Sequence, residues 1–200
     1  MTQLISAGLD RALRRGLALA PVVAVAAGAV GFHHARSDAQ HGVGRTADQP
    51  IGFRHDLHVR GLGIDCTYCH TGALAAPGAG MPPASTCLGC HDRLWRGTRA
   101  LQPLHDSREL GQPIEWESLY ALPAHARFDH GAHASAGVGC ETCHGDVATM
   151  TRTTRARPIA MAWCVDCHRA AIGREADALR AGATRRAAAA RLTDCSTCHY

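Results

Sequence analysis

The chain contains no lysine: all 21 basic residues among its 200 are arginine. Aromatic residues are nearly as scarce, with three each of Phe, Tyr and Trp, whereas Gly and Pro number 21 and 9. A chain so short of large apolar side chains cannot build a conventional core of this length from protein alone. That argues against a large-cored enzyme, such as a doubly wound sheet or a barrel. The net charge is only +4, which makes no case for a nucleic-acid partner. What is abundant is cysteine, at 10, and histidine, at 14. The composition is that of a chain folded around something it binds.

The N-terminus reads as a targeting segment. Arg11, Arg14 and Arg15 precede an uncharged run from Gly16 to Phe32, which Arg36 and Asp38 close. At about 1.5 Å per helical residue such a run is at the short limit for spanning a bilayer. The basic residues before it should stay in the cytoplasm and send the rest of the chain outward. Small residues at Ala24-Val25-Ala26 and Ala27-Gly28-Ala29 leave a cleaved signal peptide as the competing reading. Either way the chain from about residue 37 onward is exported to the periplasmic side of an inner membrane.

The cysteines fall into five copies of one motif, with none left over: Cys66-Thr-Tyr-Cys69-His70, Cys87-Leu-Gly-Cys90-His91, Cys140-Glu-Thr-Cys143-His144, Cys164-Val-Asp-Cys167-His168 and Cys195-Ser-Thr-Cys198-His199. Cys-x-x-Cys-His is the attachment pattern of haem c. The two thiols add to the vinyl groups of one porphyrin, and the adjacent His becomes the proximal iron ligand. Zinc ribbons use Cys-x-x-Cys in pairs, and five is an odd number for them. A disulfide framework has no need of the histidines. Five covalent haems are expected, with His70, His91, His144, His168 and His199 as proximal ligands. Export agrees, because c-type haems are attached outside the cytoplasm, and five porphyrins would supply the missing core.

The chain also repeats itself. Phe53-Arg-His55-Asp-Leu-His58 precedes the first two motifs, and Phe128-Asp-His130-Gly-Ala-His133 precedes the third and fourth, at offsets of 75, 74 and 77 for the Phe and the two motifs. This reads as a two-haem unit used twice, with modules at about 51–92 and 126–169 and a fifth motif appended at 194–200. Two imidazoles three apart on a helical turn point the same way and can serve two neighbouring irons. His55, His58, His130 and His133 are therefore the expected distal ligands for four haems. For the fifth, His125 and Met161 or Met150 stand side by side. His33, His34, His41, His105 and Met81 have weaker claims, and methionine would raise that haem's potential.

The domain plan is thus 1–36, an anchor or signal, and 37–200, a pentahaem domain. Residues 71–86 read as a loop, since Met81-Pro82-Pro83 forbids regular helix. Residues 93–127 read as an inter-module linker, and 169–193, rich in Ala and Arg, as the best helix outside the N-terminus. The expected fold class is mostly irregular and α, a haem-packed multihaem cytochrome c of two duplicated dihaem modules plus a C-terminal haem, with an N-terminal transmembrane helix and little or no sheet.

The order of motifs resembles one family, the membrane-anchored pentahaem cytochrome c subunit of bacterial alternative complex III. The stretches that carry the resemblance include Ile51-Gly-Phe-Arg-His-Asp-Leu-His58, Met81-Pro-Pro-Ala-Ser-Thr-Cys87, Pro113-Ile-Glu-Trp116, Leu122-Pro-Ala-His-Ala-Arg-Phe128, Met161-Ala-Trp-Cys164 and the terminal Cys198-His-Tyr200. Tyr120 departs from it, where relatives often carry a His. The resemblance implies a retained anchor and an electron relay that takes quinol-derived electrons to a periplasmic acceptor or terminal oxidase. It also implies iron–sulfur and quinol-binding membrane subunits and a monohaem cytochrome c as partners. The alternative is a membrane-anchored multihaem quinol dehydrogenase feeding a periplasmic reductase. A catalytic reductase is disfavoured, because such enzymes need an open iron position, often with a proximal Lys, and a larger body. No catalytic residue is expected.

Overall fold

The computed structural model describes residues 6–179 and 191–200. They divide into one unit ending at His41 and a second running Gly42–Tyr200.

The first unit is essentially one helix, α1 (Ala7–Ala35), of 29 residues with none buried. Ser6 caps it, its hydroxyl accepting the Leu9 N–H at 3.4 Å, and Asp10 pairs with Arg14 at 2.9 Å one turn on. The helix exceeds the apolar run at both ends, because the cap sits at Ser6 and the Ala, Leu and Arg flanks are good helix formers. Its mean hydropathy reaches 1.8 over the apolar window, and at about 1.5 Å per residue it is long enough to cross a bilayer.

The second unit is built of short helices in loops. Among the described residues there is no regular strand, only isolated bridges at Thr46–Thr154 and Ala126–His199. The helices are α2 (Cys66–Cys69), α3 (Ala84–His91), α4 (Gln102–Leu110), α5 (His130–Ser135), α6 (Cys140–His144), α7 (Met161–Leu179) and α8 (Cys195–Cys198). Every Cys-x-x-Cys lies in a helical turn, which puts its two thiols on one face. Asp65 and Asp194 start two of these turns by accepting the Thr67 and Ser196 N–H groups at 2.8 Å. The fourth motif is instead embedded in α7. That helix begins eight residues earlier than the expected 169–193 segment, since Met161-Ala-Trp carries no breaker. Residues 180–190 of that expected helix lie outside the described residues.

The two modules pack reciprocally. In one direction the Gly131 N–H donates to the Ala76 carbonyl at 3.2 Å; in the other the Asp56 N–H donates to the Met150 carbonyl at 3.2 Å. The π-helical turn Asp56–Gly61 thereby lies on the 3-10 turn Val147–Thr149, and α5 lies on the matching turn Thr71–Leu74. Each module presents its paired histidines to the segment after the other module's first haem motif. Gly72 makes one half of this possible. Its N–H reaches the Ala79 carbonyl at 3.1 Å, and a Cβ there would stand 2.3 Å from the Gly78 carbonyl oxygen.

The protein core is thin. Ile51, Ala84, Leu88 and Leu104 are its buried centre, with Cys87, Leu101, Ile114 and Trp116 packed around it. Leu104 belongs to α4, which the linker reading of 93–127 did not anticipate. Pro103 in the first turn and Gly111, left-handed at φ +65°, give it ordinary start and stop signals.

Candidate haem centres

Histidine binds iron through an unprotonated ring nitrogen, and the bond made by the other nitrogen decides which one that is. Nδ1 of His70 lies 2.7 Å from the Gly80 carbonyl oxygen, His91 3.2 Å from Leu94, and His168 2.7 Å from Leu192. His58 and His133 reach back one turn to the carbonyls of Arg54 and Asp129 at 2.8 and 2.7 Å. His130 contacts the Pro77 carbonyl at 2.8 Å, and His199 that of His125 at 3.1 Å. A carbonyl only accepts, so in these seven rings Nδ1 carries the proton and Nε2 keeps its lone pair. His55 completes the pattern with a hydrogen bond to the Thr153 hydroxyl at 3.1 Å.

The rings also come together in pairs. Ring centroids are 6.1 Å apart for His58 and His91, 6.4 Å for His130 and His144, 6.0 Å for His133 and His168, and 5.5 Å for His125 and His199. His55 lies near His70, whose charge, after burial, helps push His55 down to about 4. Its imidazole is therefore neutral and available as a ligand. Burial, with His130 and His70 nearby, lowers His144 in the same way. Metal–imidazole bonds of about 2 Å on each side, with about 1 Å more to each ring centre, would separate the centroids by about 6 Å. The residues present fit a metal held between two imidazoles.

A phenylalanine sets each distal pair. Phe53 stacks on His58 at 4.4 Å and 26° and meets His55 edge-on at 4.8 Å and 84°. Phe128 repeats this on His133 at 4.5 Å and 27°, and on His130 at 4.7 Å and 89°. The duplication seen in the sequence is thus a duplication of geometry, with the two imidazoles turned nearly perpendicular about one aromatic plate.

Burial pushes the thiols of Cys66, Cys69, Cys87, Cys143 and Cys164 up. Neighbouring thiols add to this for four of them: Cys140 at Cys66, Cys69 at Cys87, Cys167 and Cys164 at Cys143, and Cys198 at Cys164. All ten cysteines are free of disulfides. Reduced cysteines that are not tied up in a bridge are what addition across a vinyl group requires.

Of the residues open for the fifth position, His125 meets a motif histidine. Met161 is 70% exposed, and the Met150 sulfur accepts the Thr154 N–H at 3.4 Å. His105 is buried on α4, its Nδ1 3.4 Å from Arg108 and its Nε2 without a partner. Tyr120 was singled out only as a departure from a family pattern. Its ring stands edge-on to His144 at 4.7 Å, and its hydroxyl accepts the Ala156 N–H at 3.0 Å. A tyrosine without a counterpart at the matching place in the other module was the available signal.

Residues 126–200 match the family model described as cytochrome c7 and related cytochrome c. With five Cys-x-x-Cys-His motifs in a helical, sheet-poor fold, this match indicates a multihaem cytochrome c with five covalent haems c, a haem-binding protein of electron transport. The chain is also similar to the multihaem cytochrome c subunit of menaquinone reductase from Nitratidesulfovibrio vulgaris Hildenborough. The two are 30% identical over 112 residues, 50% of this chain and 53% of that protein. The chain thus spans about half the length of the curated relative it matches.

Proposed function

We propose that this chain is the electron-relay subunit of a membrane-bound quinone oxidoreductase, exchanging electrons between the quinone pool and a redox partner on the periplasmic side. The observation that carries the reading is that each motif histidine has a second histidine beside it. We assign the pairs as His70 with His55, His91 with His58, His144 with His130, His168 with His133 and His199 with His125. His125 is preferred to Met161 as the fifth distal ligand because it is the one that faces a motif histidine. When bound, each haem c supplies one-electron chemistry at iron. The paired histidines would hold each iron, seven of them with the tautomer fixed through Nδ1, and would leave no ligand position for a substrate. Catalysis of bond chemistry is not the role of such a chain.

The apolar α1 supports a retained anchor, with residues 1–36 in the membrane and the 37–200 domain at its outer face. The similarity to a subunit of menaquinone reductase supports partner subunits that handle quinone, while iron–sulfur subunits rest on the sequence resemblance to alternative complex III alone. It favours a quinone-coupled cytochrome trading electrons with a periplasmic partner over the narrower assignment to alternative complex III, which would deliver to a monohaem cytochrome c, a terminal oxidase or a soluble carrier. That second reading rests on the Met161-Ala-Trp-Cys and terminal Cys198-His-Tyr details. Purification from detergent-solubilised membranes tests both. The expected result is a complex with a quinone-binding membrane subunit, whose haems equilibrate with a menaquinol analogue and stop doing so in the separated subunit. A chain that purifies alone and reacts quickly with menaquinol is a self-sufficient dehydrogenase and overturns the relay reading. Co-purification with an oxidase restores the second.

A further inference from the structure

The ligand pairs proposed above also fix which centres are neighbours. His55 and His58 share one turn and serve the first and second motifs; His130 and His133 share α5 and serve the third and fourth. Between modules, His130 is bonded to Pro77, just after the first motif, and His55 to Thr153, just after the third. The first and third centres are therefore adjacent. His168 is bonded to Leu192, three residues ahead of Cys195, which joins the fourth centre to the fifth. The connections form one line, second–first–third–fourth–fifth, rather than the order of the sequence.

On the far side of the second centre the chain ends the line with an exposed aromatic. Trp95 stacks on His91 at 5.8 Å and 28°, is 70% exposed, and is held at φ +58°, a left-handed conformation that bulky side chains seldom adopt. Leu94 beside it is also exposed, and its carbonyl accepts from His91. Arg93, Arg96 and Arg99 are exposed neighbours of Trp95 along the chain, with no carboxylate between residues 93 and 99. Asp92 at the edge pairs with Arg108 at 3.1 Å and, more loosely, with Arg96 at 3.8 Å, so its charge is met by two arginines and the segment keeps a positive excess. An exposed apolar side chain in an arginine-rich segment, over the ligand of a terminal centre, is complementary to a partner with an acidic face.

We propose that the second haem is one end of the wire, and that Trp95 with Arg93, Arg96 and Arg99 is where an acidic redox protein docks to exchange electrons with it. The step moves one electron between the partner's cofactor and this haem, and no bond is made or broken. The inference rests on the ligand pairing, so the two are tested apart. His58→Ala should turn one haem of five high-spin; an unchanged spectrum removes the pairing, and the order with it. On the intact pentahaem protein, stopped-flow reduction by an acidic flavodoxin reads the docking. Trp95→Ala should slow it about tenfold, and Arg93→Glu/Arg96→Glu should slow it further and flatten its salt dependence, with spectrum and potentials unchanged. Tyr200→Ala, an exposed aromatic at the fifth-motif end, should leave the rate within about twofold. Equal loss at both ends, or none at Trp95 and the arginines, would overturn the proposal while leaving the pairing intact.

Discussion

The rings of His125 and His199 lie 5.5 Å apart at 23°, and Nδ1 of His199 donates to the backbone carbonyl of His125 itself. One residue thus offers its ring to face a motif histidine and its carbonyl to fix that histidine's tautomer. Arg127 clamps the same corner: its guanidinium donates to the carbonyls of Ser196 and His199, and it lies over the Tyr200 ring at 4.6 Å. The last residues of the chain are folded back onto the segment just ahead of the second Phe-x-His-x-x-His.

This geometry separates His125 from the methionines by experiment. His125→Ala should convert one haem in five to a high-spin form that binds carbon monoxide. His125→Met should restore a low-spin haem at a higher potential. Met161→Ala, at an exposed position, should change neither the spectrum nor the potentials. If Met161→Ala gives the high-spin haem and His125→Ala does not, the assignment is reversed.

Carbon monoxide also tests the relay reading in the unaltered protein. Two imidazoles per iron leave no exchangeable position, so the fully reduced protein should bind much less than one equivalent. Fast stoichiometric binding would mark an open iron and a catalytic centre.

Thr153 is the contact by which the second module holds His55, the proposed distal ligand of the first centre, through the 3.1 Å hydrogen bond to its Nδ1. Thr153→Val keeps the shape and removes the hydroxyl. It should cost about 1 kcal/mol in denaturant unfolding of the holoprotein, whereas Thr153→Ser should be close to neutral. Five haems should remain in both. Equal stability of the valine variant would mean that the cross-module bond does no stabilising.

What was legible in the sequence was the part written by covalent chemistry. Thiols that must reach two vinyl groups stand three apart, and the ligand follows at once, so Cys66 to His70 announces its role without a fold. The repeat was legible too, because Phe53 and Phe128 plate their histidines in the same way. The pairing was not, since it depends on modules crossing: nothing near His130 says that Pro77 will hold it, or near His55 that Thr153 will. The proposed preference for His125 over Met161 or Met150 was hidden for the same reason, as Ala126 meets His199 across 73 positions of chain. Helix α4 failed differently. Its Pro and Gly punctuation was readable, but the segment is short and has few apolar residues, so its pattern does not show that Leu104 is the most buried core side chain among the described residues.

The Gly72 contact yields the sharpest stability prediction. A Cβ at this position would meet the Gly78 carbonyl oxygen at 2.3 Å and the Ala79 carbonyl at 3.1 Å. Both are backbone atoms, so no rotamer change relieves the clash and the 77–80 turn must move. That turn carries the Gly80 carbonyl, which holds His70 Nδ1 at 2.7 Å, and the Pro77 carbonyl, which holds His130. Overpacking of this kind costs on the order of 1–3 kcal/mol, and Gly72→Ala should fall at the upper end. Because the turn touches a ligand of the first centre and one of the third, the loss should come with altered low-spin signals from two haems and not five. Gly78→Ala, where a Cβ meets nothing within 4 Å, is the matched control and should cost little. A Gly72→Ala protein as stable as the parent, with five unchanged haem signals, would show that the turn is not what positions His70 and His130.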